Sequence, residues 1–136
     1  MIGYLKLNSL IYVDTADSGK VVGRIVALVK VHRISGRWFA GFEGTAVLPQ
    51  ELQSGPIPVD SVAFSDANSE PIPITPAMLR YLGIPLHESS GEIQLSNVHT
   101  GSYDAEEHSV TVSFLPRKLQ YVHELQYMLG LILDIG

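Results

Sequence analysis

Apolar and polar residues alternate from residue 3 to residue 13, with Leu5, Leu7, Ile11 and Val13 on one side and Lys6, Asn8 and Tyr12 on the other. A period of two marks a β-strand with one covered face. Asp14 to Gly19 supplies turn residues. From Lys20 to Ile34 β-branched residues dominate, and apolar side chains fall on both sides of the period: Val21, Ile25, Ala27, Val29 and Val31 against Val22, Val26, Leu28 and Ile34. This predicts a strand covered on both faces. At the usual rise it would span roughly 45 Å, longer than an ordinary strand, and Gly23 is the position where a bulge or bend would relieve it. A strongly curved sheet follows. Ser35-Gly36 reads as a two-residue hairpin turn leading into a strand from Arg37 to Leu48, on which Trp38, Ala40 and Phe42 share a side. With that turn, Arg33 stands opposite Trp38.

Residues Pro49 to Pro58 read as a loop and Pro58 to Phe64 as a short, weaker strand. Asp66 to Pro76, which holds Pro71, Pro73 and Pro76, is taken as a long crossing loop within one domain rather than as the junction of two subdomains. Thr75 as cap, Pro76 at the first position and Gly83 after the last turn predict a helix of at most two turns. Glu92 to His99 and Ser109 to Leu115 read as strands, the second with Val110, Val112 and Phe114 inward and Ser109, Thr111 and Ser113 outward, and Gly101 to His108 as their hairpin connection. Leu119, Val122, Leu125, Leu129 and Ile132 recur at helical spacing and predict a terminal helix from Pro116 to Leu133, weakened near its end by Gly130. The sum is a mainly β (α+β) chain: a small antiparallel β-barrel or strongly curved sheet of about six strands, with a short helix and a C-terminal helix, in one domain spanning residues 1–136.

Fourteen acidic against nine basic residues give a net charge of −5, which works against a broad phosphate-neutralising surface, so nucleic acid is not expected as the main partner. The absence of cysteine excludes thiol nucleophiles, cysteine-ligated zinc, iron–sulfur clusters and disulfides. The apolar runs fall short of the ~20 residues that cross a bilayer, so no membrane insertion is expected. Met1 to Asn8 lacks the basic head and apolar stretch of a signal peptide, which makes the cytoplasm the expected location.

Three constellations bear on chemistry. Asp14-Thr15-Ala16 follows the apolar strand Leu10 to Val13 and resembles the Asp-Thr/Ser-Gly signature of retropepsin-like aspartic proteases, with Ala16 where that family has glycine. The resemblance implies a water-activating carboxylate pair made by two subunits, with Asp66-Ala67-Asn68 as a second candidate and Leu129-Gly130 as the downstream apolar-glycine element. The same residues also fit an aspartate that opens a strand-connecting turn, which is the reading adopted. Arg33 and Arg37 have an Arg-x-x-x-Arg spacing that resembles the dinucleotide-binding motif of PilZ domains, whose architecture is a six-stranded barrel with a C-terminal helix. It implies an anionic ligand gripped by Arg33 and Arg37 beside Trp38. The family's second motif, Asp-x-Ser-x-x-Gly, has no full counterpart: Asn97 to Gly101 lacks the serine and is one residue short. Asp17-Ser18-Gly19-Lys20 lacks the first glycine, the hydroxyl residue and the helix of a phosphate loop.

Of five histidines, only His99 and His108, with Asp104 and Glu107, are close enough to raise a metal site, and their spacing is not zinc-like. No Gly-x-Ser-x-Gly elbow is present. The expectation is therefore a non-enzymatic module that binds a protein partner or assembles with itself as a homo-oligomer, with no metal and no cofactor. An anionic-ligand sensor using Arg33, Arg37 and Trp38, and an aspartic hydrolase using Asp14, are the alternatives.

Overall fold

The apolar run around residues 19–34 organises the first half of the chain, because every other strand there pairs directly or indirectly with it. The computed structural model describes residues 6–16, 18–34, 37–96, 98–112, 115 and 118–135, and the side chains of these other than 29–34, 37–42 and 131–135. The chain divides into two compact units, Met1–Ile72 and Pro73–Gly136. The first holds β1 (Leu10–Thr15), β2 (Gly19–Ile34), β3 (Arg37–Val47), β4 (Ser61–Ser65) and β5 (Ser69–Pro71). The second holds α1 (Pro76–Tyr81), β6 (Glu92–Gln94), β7 (Thr100–Asp104), β8 (Ser109–Val112) and α2 (Val122–Ile135). The protein is mainly β, with two antiparallel sheets.

In the first sheet the order is β4-β3-β2-β1-β5. β4 and β5 are its opposite edges, yet only residues 66–68 separate them in sequence. The Ser69 hydroxyl donates to the Ser65 carbonyl at 2.6 Å, and the Asn68 side chain accepts from the Ser65 amide at 2.7 Å. In a flat sheet four strand spacings would hold these edges about 19 Å apart. The sheet therefore curls until its edges meet at the 66–68 turn. Among the described residues no ladder joins β4 to β5, so the curved sheet is observed and a closed barrel is not. Inside the curl, Ile11, Val13, Val21, Ile25, Ala46, Leu48 and Phe64 form a buried cluster.

The long strand departs from expectation in two ways. Gly23 lies in unbroken register opposite Ile11, and the register shifts fall further on, between Ile25 and Ala27 and around His32. Gly23 is small for a packing reason: a Cβ there would come within 2.9 Å of the Ala46 side chain. Covering of both faces also stops early, since Val26 and Leu28 are 46% and 37% exposed. β1 pairs with β2 only as far as Arg24, with two further bonds at Ile25, whose carbonyl accepts the Asn8 amide and whose amide donates to the Ser9 carbonyl, and β4 pairs with β3 only from Glu43 onward. Beyond these points β2 and β3 continue as a two-stranded ribbon to the pair Ile34↔Arg37. The predicted turn Ser35-Gly36 lies outside the described residues, as does the start of the first predicted strand before Lys6.

In the second unit the sheet order is β6-β7-β8. The expected hairpin connection from Gly101 to His108 is in fact strand through Asp104, and only residues 105–108 turn. The Asp104 carboxylate accepts the amides of Glu106 and Glu107 at 2.9 and 3.3 Å, and His108 takes a left-handed φ of 52°. With β5 and β7 added, eight strands are described where about six were expected. α1 forms as its punctuation predicts: the Thr75 hydroxyl accepts the Met78 amide and Pro76 opens the first turn. α2 starts at Val122 and not near Pro116, because Leu119 exchanges both backbone hydrogen bonds with Val110, an extended pairing incompatible with a helix. The Glu124 carboxylate then accepts the amides of Gln120 and Tyr121, satisfying donors at the helix entrance. Among the described residues no helix is long and apolar enough to cross a membrane.

Candidate functional site

The edge of β2 that faces β3 has an unusual termination. Arg24 pairs with Val47, so the same antiparallel register would put Pro49 opposite Val22. Proline has no amide hydrogen to give the Val22 carbonyl. The chain turns away: the Leu48 amide bonds the Asp60 carbonyl, and residues 50–52 form a short 3-10 turn. Gln53 then returns. Its side-chain oxygen accepts the Val22 amide at 2.9 Å, and its side-chain nitrogen donates to the Val22 carbonyl at 2.6 Å and to the Pro49 carbonyl at 2.9 Å. One carboxamide thus gives a strand residue both the acceptor and the donor that a neighbouring strand would supply.

The alternation of the ladder fixes what lies beside this contact. The Asp14 amide bonds the Asn68 carbonyl, away from β2, so Asp14↔Lys20 is a pair without mutual hydrogen bonds. The Lys20 amide and carbonyl consequently point to the edge that Gln53 touches at Val22. That edge opens into a cleft of about 580 Å³ whose walls include Tyr12, Lys20, Val22, Gln53 and Ile57. On the same face, Lys20 forms an ion pair with Glu70 across β1, and its ammonium lies 5.2 Å from the centre of the Tyr12 ring. The hydrogen bond to Glu70 raises the Lys20 pKa above its ordinary value, opposed in part by desolvation and aided by the charges of Glu70, Tyr12 and Asp14. Both partners are about half exposed, so the pair sets the position of the ammonium more than it stabilises the fold. These groups present a strand edge and an oriented cation, which is chemistry for holding a chain.

The residues singled out in the sequence are scattered over other places. The backbone pairs Arg33↔Trp38 and Ile34↔Arg37 bring Arg33, Arg37 and Trp38 together at the far end of the ribbon, and their side chains lie outside the described set. Asp14 is exposed at the end of β1. Thr15 shapes the following turn, donating to the Gly19 carbonyl and accepting the Ser18 amide, both at 3.0 Å. Asp66 sits in the turn that joins the sheet edges. Asp17, of the phosphate-loop comparison, is outside the described residues, and Gly19-Lys20 opens a strand.

His99 and His108 lie at opposite ends of β7, about 17 Å apart along the strand. Among the described residues no group of three or more histidines and carboxylates is placed to hold a metal. Ser96 and His99 do meet, Oγ to Nδ1 at 2.8 Å, but the same hydroxyl oxygen accepts the Val98 and His99 amides and so builds the β6–β7 turn. The Gln53 contact was missed by sequence reasoning. Pro49 at the end of a strand, with an amide side chain four residues on, is the only local trace of it. No protein-family model, curated protein or solved structure matches the chain.

Proposed function

We infer that the protein is a non-enzymatic binding and assembly module that acts through protein–protein contacts, with a second copy of itself as the first partner to test. The observation that carries this reading is the ribbon. Past Ile25 and before Glu43 it has no third strand among the described residues, and it extends about 20 Å to its last described pair. A two-stranded hairpin alone is at best marginally stable in water. This one is rich in large apolar residues, Val29, Val31, Ile34, Trp38, Phe39 and Phe42, and begins at the exposed Val26 and Leu28. Exposed apolar side chains such as Val26 and Leu28 are covered by association. Replacing residues 30–42 with Asn-Gly keeps the pair Val29↔Glu43 as the closing pair of a two-residue hairpin. In sedimentation equilibrium the full chain should form a dimer or larger assembly and the shortened chain a monomer that still melts cooperatively. An unchanged mass would sink the reading.

A second reading has its own observation, the register that gathers Arg33, Arg37 and Trp38 at the ribbon's end. It assigns the ribbon an anionic ligand of the cyclic-dinucleotide kind, held by bidentate arginine contacts. A cyclic dinucleotide should then raise the melting temperature of the wild type and leave the Arg33→Ala, Arg37→Ala double variant unmoved.

A further inference from the structure

We propose that the β2 edge at Lys20 and Val22 is a docking site for an extended, acidic peptide segment of a partner protein, which adds as an antiparallel strand and takes the place of Gln53. This site is separate from the ribbon. Three observations converge on it. Gln53 gives Val22 an acceptor and a donor on a single group, which is the pattern of a hydrogen-bonded pair in an antiparallel ladder, so a peptide group fits where the carboxamide sits. Lys20, next along the same edge, directs its amide and carbonyl into the cleft with no partner for them among the described residues. The cleft, about 580 Å³, falls within the ~300–1,000 Å³ range of clefts that hold ligands.

The charge of the segment follows from the face it shares. Lys20, Val22 and Arg24 alternate onto one side of β2, and a residue added opposite Val22 lies diagonally between the two cations. Arg24 forms no ion pair among the described residues, and Glu70 engages only Lys20. An acidic side chain at that position meets both. Main-chain bonds to Lys20 and Val22 supply attachment, and the acidic residue supplies register. Gln53 acts as a placeholder that keeps the Val22 groups satisfied until the strand arrives and must be displaced by it.

The test uses the whole chain and an acetylated, amidated peptide of sequence Glu-Val-Thr-Val-Thr, whose glutamate pairs with Val22 and whose first threonine pairs with Lys20, so that it ends short of Arg24, which Val47 occupies. Amide exchange followed by NMR should show the Lys20 amide exposed in the free protein and protected at saturating peptide. Gln53→Ala removes the competitor and should tighten binding about fivefold, the equivalent of one net hydrogen bond. A peptide N-methylated at the glutamate loses the donor to the Val22 carbonyl and should bind at least about tenfold more weakly. Exchanging its glutamate for lysine should also weaken it. The ribbon-shortened chain retains residues 19–24 and should bind equally well, which separates this site from the assembly reading. A Lys20 amide that stays unprotected at millimolar peptide, or equal binding of the N-methylated peptide, overturns the proposal. The exchange measurement on the wild type decides it even where Gln53→Ala does not fold.

Discussion

Lys20 shows how one side chain can be tied to several neighbours and still be worth little to the fold at neutral pH. Its pKa is raised above the ordinary 10.5, first by the hydrogen bond to Glu70. A lysine with a raised folded-state value contributes stability that is fully present below 10.5 and is lost as pH rises through the folded value. Glu70→Gln should therefore melt slightly below the wild type at neutral pH, and the two melting temperatures should converge as pH rises through the raised Lys20 value. Tyr103, whose pKa burial raises with help from Asp104, shifts stability in the same direction, but it is common to both proteins and cancels in the comparison. None of this was legible in the sequence: Lys20 and Glu70 are fifty residues apart and meet only because β1 lies between their strands. The same holds for Gln53 and Val22, while the opposition of Arg33 and Trp38 was legible because a two-residue turn fixes it arithmetically.

Elements were readable where local chemistry decides them. Thr75, Pro76 and Gly83 punctuate α1 on both sides, and Gly83 takes the left-handed φ of 76° that such a helix end requires. Thr75→Ala should lower stability by about 1 kcal/mol, measured as a shift of the urea midpoint at unchanged slope. Where distant pairing decides, the reading failed. Leu119 fits the helical spacing of Val122 and Leu125, yet its backbone belongs to Val110. β7, Thr-Gly-Ser-Tyr-Asp, has the composition of a turn and becomes a strand because Ile93 and Val112 flank it across the sheet and Tyr103 is buried there, its hydroxyl donating to the Ile74 carbonyl at 3.1 Å. A three-residue strand such as β5 leaves no period to detect.

For the molecule as a whole, charge and shape are distributed unequally. The chain carries −5, yet no acidic residue occurs between Ser18 and Phe42, where Lys20, Arg24, Lys30, Arg33 and Arg37 hold five of its nine basic side chains. A cationic ribbon on an acidic chain favours contact with the acidic remainder of a second copy, so association should weaken as salt is raised from about 0.05 M to about 0.5 M. Sedimentation across that range checks it, and an association that strengthens with salt would assign the contact to apolar burial alone.

The curl of the first sheet has a consequence for solubility. A flat five-stranded sheet would offer two long, unsaturated rims to any passing chain, the geometry from which fibrils grow. Here the rims are a five-residue and a three-residue strand, the shorter ending in Pro71, and the turn at Asn68 draws them against each other. The outer strands of this sheet are thereby kept from stacking indefinitely, and what it still offers to an added strand is the β2 edge at Lys20 and the edges of the β2–β3 ribbon.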